Sequence, residues 1–226
     1  MLSCVDLSLG HRSRSMMQLK ITALMGAELC RSLSEALRDW PSPGELSVHR
    51  LVQVMDGQDL AFPSLNDGEA EHFRASLRRL NTVGQYAKDN GVRVLVDAEY
   101  TYLNPAITLV TVAMMMRFNQ TEPSIWNTYQ CYLKDAYSLL SADISRASSL
   151  GYCFGVKLVR GAYMDKERQL ARTLGYADPI HENWEATNRS YQKLLDQMLD
   201  LVGEQRERYS VVIASHNETS VRHALN

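Results

Sequence analysis

Several things are scarce in this chain of 226 residues. Its four cysteines, Cys4, Cys30, Cys131 and Cys153, contain no C-x-x-C pair. That argues against a zinc site or a dense disulfide framework, and the thiols read as reduced, in an intracellular or organellar compartment. Net charge is nearly absent: 24 Lys and Arg stand against 26 Asp and Glu, leaving −2. A nucleic-acid binder would be more basic, and nothing indicates an anionic membrane surface as partner. No apolar run reaches the roughly 18 residues that span a bilayer, and no apolar signal core opens the chain. The segment 8–15 is basic and serine-rich like part of a transit peptide, but it is short and Asp6 precedes it, so it reads as a loop. No G-x-G-x-x-G follows any strand-like run, which argues against a doubly wound dinucleotide fold.

What is present is the composition of a soluble globular protein, 45% hydrophobic and 22% charged, and one domain over 1–226 is expected. Five short β-type runs, at 17–24, 92–98, 124–128, 153–159 and 210–214, are each followed by a helix-type pattern. Such alternation means parallel strands with crossover helices. The spacing predicts helices at 69–89, with Phe73, Leu77, Leu80 and Val83 on one face, at 132–150 before Gly151, at 184–208, and a short one at 47–55. Gly91 and Gly151 stand where helix C-caps belong. Residues 56–59 and 66–69 look like fragments of calcium loops without the full ligand spacing; they read as turns, and no metal site is expected.

This rhythm predicts an α/β fold, an incomplete (β/α)8 TIM-type barrel of about five parallel strands. Polar residues gather where the strands end: Lys20; Asp97 and Glu99; Asn127 to Gln130; Lys157 and Arg160; Ser215 to Glu218. Barrel active sites are built from residues at strand C-termini. Five strands cannot close a barrel of eight, so part of it is expected to be missing, and the chain stops in what reads as an unfinished helix. Lys157 and Arg160 are the oddest members of the set, because they sit on an otherwise apolar strand. Buried cations need anionic partners or an anionic ligand; otherwise they emerge into solvent at the strand exit.

Taken in order, LKITAL around Lys20, LVDAEYTYLNPA from Leu95, NTYQCYLKDA from Asn127, GVKLVRGAY from Gly155 and ASHNE from Ala214 resemble the proline dehydrogenase family of flavin-dependent barrel enzymes. DAEYTYLNPA, with the opening MLSCVDLS, is more similar to the hydroxyproline dehydrogenase branch. The resemblance implies FAD across the barrel mouth, hydride removal from the ring carbon beside the nitrogen of proline or trans-4-hydroxyproline, a pyrroline-5-carboxylate product, and a quinone as electron acceptor. It implies a mitochondrial location on the matrix side of the inner membrane and leaves peripheral membrane association open.

Carried over residue by residue, Lys157 stands beside the flavin ring, where bacterial relatives have arginine. Arg160, Gly161 and Ala162 match the segment on the cofactor's phosphates. Ala98 touches the flavin through its backbone, Asn127 replaces a glutamine on the ring, and Ser215 and His216 match cofactor contacts. Asp97 matches a site carboxylate that orients a cationic side chain, while Lys20 and Tyr163 match substrate-pocket positions. Each has a plainer alternative: Lys157 paired with Asp97 or Glu99, Lys20 in solvent, Tyr163 packed at the strand exit, His216 structural. An earlier strand, two later strands and a final helix with an arginine pair that clamps the substrate carboxylate are expected to be absent. Two competing readings are an inactive truncated isoform and an aldolase-type barrel with a Schiff base on Lys157.

Overall fold

β-Branched and apolar runs form five strands joined by helices in a computed structural model that describes residues 1–9, 15–39 and 46–225. Residues 10–14 of the expected loop, and residues 40–45, lie outside the described residues. The chain makes two compact units, Met1–Asn127 and Thr128–Asn226.

The first unit contains α1 (Leu2–Ser8), β1 (Met16–Leu19), α2 (Thr22–Met25), α3 (Ala27–Asp39), α4 (Val48–Met55), α5 (Asp67–Asp89), β2 (Arg93–Val96), α6 (Asn104–Phe118) and the start of β3 (Ile125–Gln130). Strands β1 and β2 pair in parallel with Leu19 beside Val96, and β2 pairs in parallel with β3 through Val94 and Leu95 against Ile125 and Trp126. The second unit holds the rest of β3, then α7 (Ala136–Leu150), β4 (Phe154–Val159), α8 (Met164–Leu174), α9 (Trp184–Glu204), β5 (Tyr209–Ala214) and α10 (Glu218–Leu225). Its strand order is β3-β4-β5, with β4 and β5 parallel and Val159 beside Ala214. Both β3 and β4 are buried along almost their whole length, as strands covered on two faces must be.

The helix starts and stops follow from local chemistry. Residues 66–69, expected as a turn, are the N-terminus of α5: Asn66 Oδ1 accepts from the Glu69 N–H at 2.9 Å, and the Glu69 carboxylate accepts from the Asn66 N–H at 3.1 Å. This reciprocal box satisfies two of the donors a helix start leaves orphaned. Gly151 closes α7 at φ 77°, a left-handed conformation that costs glycine little, and Gly91 follows the end of α5 in the same region.

The largest shifts are at three expected boundaries. The strand expected at 17–24 ends at Leu19, because Ile21 turns helical and buries itself through α2 instead. The helix expected from 132 begins at Ala136. The Tyr132 and Lys134 N–H groups are already bonded to Arg160 O and Pro179 O, and Leu133 bridges Ile180, so these backbone groups are taken. Helix α9 stops at Glu204 rather than 208, since Gln205 leaves the helical region and accepts from the Arg208 and Tyr209 N–H groups.

Helix α6 is buried nearly all round and packs against α3, α4 and α5. Ser34 of α3 serves its N-terminus from outside: the Ala106 N–H donates to Ser34 Oγ at 3.1 Å, and that hydroxyl donates to Leu103 O at 3.2 Å. No helix among the described residues is long and apolar enough to cross a membrane.

Candidate active site

In the first unit, parallel pairing sets Lys20 and Asp97 at neighbouring strand exits. The Asp97 N–H donates to Leu19 O at 2.9 Å, one residue before Lys20. Lys20 is exposed, and Asp97 and Ala98 are half-buried. Glu99 is fixed by three bonds: its carboxylate accepts from Thr22 Oγ1 at 2.6 Å, its N–H donates to Asn104 Oδ1 at 2.8 Å, and its carbonyl accepts from Asn104 Nδ2 at 3.3 Å. Tyr100 and Tyr102 stack beyond it, with centroids 5.5 Å apart and planes at 9°. Asn127 ends this unit as a buried amide, 2% exposed.

In the second unit, Lys157 lies inside β4, 7% exposed and opposite Val212 of β5. Arg160 and Ser215 leave β4 and β5 side by side, and Arg160 Nε donates to Ser215 Oγ at 3.0 Å. A second guanidinium N–H donates to Asn188 Oδ1, and a third to Ser220 Oγ at 2.6 Å. The guanidinium carbon sits 4.3 Å from the centroid of the Tyr191 ring. Burial pushes the Arg160 pKa below its ordinary value. None of its partners among the described residues is a carboxylate. Beside it, Gly161 and Ala162 are exposed and Tyr163 caps α8. A Cβ on Gly161 would meet Met164 Sδ at 2.8 Å and Tyr132 Cδ1 at 3.4 Å, so any side chain here would push into those two neighbours. His216 is exposed and makes no hydrogen bond or ion pair among the described residues; the fold does not bring it onto Arg160.

Sequence reading found Arg160 and Ser215 but missed Asn188, Tyr191 and Ser220. The first two lie three residues apart on α9, on one helical face, which is the only local signal they carry. Among the described residues no group of three or more His, Cys, Asp or Glu side chains is placed to hold a metal ion. No cysteine among the described residues is in a disulfide; Cys30, Cys131 and Cys153 are buried and Cys4 is exposed.

A fixed half-buried guanidinium with no carboxylate among its described partners, at a strand exit of an α/β scaffold, is an arrangement that can bind an anion. The proline dehydrogenase family model matches residues 9–226, and the chain belongs to that family. It is 60% identical to hydroxyproline dehydrogenase of Xenopus laevis, over 100% of this chain and 48% of that one. It is 47% identical to the human protein of the same name, over 99% of this chain and 51% of that one. Human mitochondrial proline dehydrogenase 1 is 42% identical, over 84% of this chain and 32% of the relative. The chain thus spans about half the length of the curated hydroxyproline dehydrogenases it matches. Among solved structures, proline utilization A from Bradyrhizobium japonicum aligns with TM-score 0.68 at 20% identity, over 99% of this chain and 20% of that one. The protein from Bdellovibrio bacteriovorus aligns with TM-score 0.61 at 16% identity, over 99% of this chain and 24% of that one. That likeness shows the fold, an α/β arrangement of five parallel strands of the TIM-barrel type.

Proposed function

We propose that residues 1–226 are part of one proline dehydrogenase-type domain, the cofactor- and substrate-binding part of a flavin-dependent dehydrogenase. It oxidises L-proline or trans-4-hydroxy-L-proline to the corresponding pyrroline-5-carboxylate, the first step in breaking these amino acids down. The observation that carries the reading is Arg160: three neutral partners fix its guanidinium and no described carboxylate neutralises it, which fits the pyrophosphate of FAD.

The residues that would hold FAD are Ala98, Asn127, Lys157, Arg160, Gly161, Ala162, Ser215 and His216. The chemistry FAD supplies when bound is acceptance of a hydride from the ring carbon next to the substrate nitrogen, with onward electron transfer to a quinone. Lys157, buried in β4, supplies a fixed cation where negative charge develops, and such a charge acts most strongly where water is excluded. Lysine there is a point charge without arginine's planar fork. Lys20 and Tyr163 bind substrate. Asp97, anchored through its N–H to the strand that carries Lys20, orients that ammonium. The substrate nitrogen must lose its proton before hydride leaves, and no residue of the proposed set is a dedicated base, so turnover rises with pH as the free amine is populated. Relatives named as mitochondrial support a mitochondrial location; the matrix side of the inner membrane is part of the proposal.

The test is the full chain purified with FAD and mixed anaerobically with either amino acid. A yellow protein that bleaches is expected; failure to take up flavin defeats the reading. Bound flavin that neither amino acid bleaches identifies a non-catalytic binding form instead, and nothing in the comparisons favours a Schiff base on Lys157.

A further inference from the structure

The acceptors around Arg160 come from three separate elements, and all are neutral. Ser215 lies just past β5, Asn188 is on α9 and Ser220 is on α10, while the Tyr191 ring covers the guanidinium face. A half-buried arginine ordinarily faces a carboxylate, because an unpaired buried charge costs several kcal/mol. Position 188 could supply one at no cost in size, since aspartate has the shape of asparagine, yet the amide stands there. The acceptors are themselves braced: the Ser220 N–H donates to Asn217 Oδ1 at 3.0 Å, and the Asn217 N–H donates to Ser215 Oγ at 3.1 Å. Of the five N–H donors a guanidinium carries, three are engaged in this frame and two stay for a ligand. A planar fork with two donors left matches two oxygens of a phosphate group.

We propose that Asn188 and Ser220 are positioning residues: with Ser215 and Tyr191 they form a charge-neutral frame that aims Arg160 at a diphosphate and leaves its charge available. This rests on the reading of Arg160 as the FAD-phosphate residue. A purely structural frame would gain from a carboxylate at 188; an anion-binding frame loses by it.

Asn188→Asp in the full chain separates the two. Titration calorimetry with FAD, and with ADP as a diphosphate probe, is expected to show both dissociation constants at least tenfold higher than wild type, with a thermal midpoint unchanged or raised. Affinity within twofold of wild type overturns the inference. Should that variant not fold, Ser220→Ala is read instead: a severalfold weaker FAD affinity that Ser220→Thr restores supports the frame, and unchanged affinity overturns it. A wild-type chain that binds neither FAD nor ADP defeats the parent reading and this one together, whereas wild-type binding with an indifferent Asn188→Asp defeats this one alone.

Discussion

The guanidinium of Arg160 lies 4.3 Å from the centroid of Tyr191, a fully buried ring whose hydroxyl reaches Leu158 O at only 3.4 Å. The ring face therefore matters more than the hydroxyl, which holds a long bond. Tyr191→Phe is expected to cost under about 1 kcal/mol of stability and to leave FAD affinity near wild type. Tyr191→Leu removes the face beneath the cation, worth about 0.5–2 kcal/mol, and leaves a cavity, so both FAD affinity and the denaturation midpoint fall. Equal FAD affinity in the two variants would rule out the stacking role.

Two helix glycines make opposite predictions. A Cβ on Gly84 of α5 would run into the Phe118 ring, whereas one on Gly203 of α9 meets nothing within 4 Å. Alanine gains about 1 kcal/mol over glycine in a helix interior, while overpacking a core costs about 1–3 kcal/mol. Urea denaturation should thus show Gly84→Ala destabilised by up to about 2 kcal/mol and Gly203→Ala stabilised by up to about 1 kcal/mol. A stabilised Gly84→Ala contradicts the close helix contact.

Asp143 of α7 is 4% exposed, accepting from Tyr129 Oη at 2.7 Å and from Arg146 at 2.6 Å. Burial outweighs these bonds and raises its pKa above the ordinary carboxylate range. The folded state therefore binds this proton more tightly than the unfolded state. Its contribution is fully present below the unfolded pKa and is lost as pH rises through the folded pKa. Asp143→Asn has no such titration, so the stability of wild type relative to this variant should grow as pH falls from 7 towards 4. Denaturation curves across that range check it, and a difference that is flat or shrinks on acidification refutes it.

Thiol reactivity tests the burial pattern directly. Burial pushes Cys131 up to about 12, and burial with the nearby Glu99 charge does the same for Cys30, while Cys153 is 8% exposed. The thiolate is the reactive form. An aromatic disulfide reagent at pH 7.5 should label Cys4 rapidly and the other three only on unfolding. Rapid native labelling of Cys131 would mean that β3 opens.

Much of the fold is legible locally. The five strand positions, the capping glycines and the strand-end residues from Lys20 to His216 follow from apolar runs, turn formers and β/α alternation, all of which act over a few residues. Helix α6 was not legible as an element, because Ala106 to Met115 are apolar apart from Thr108 and Thr111, and a helix buried on nearly every side has no charged stripe to betray its period. The start of α7 was hidden likewise, since Pro179 and Ile180, some 45 residues on, claim the backbone at 133 and 134. By itself the sequence determined that two cations end an apolar strand, and that glycine and alanine follow. Only the tertiary structure decided how Arg160 is held, because Asn188, Ser215 and Ser220 lie 28, 55 and 60 residues away and no local pattern specifies which elements solvate a buried charge.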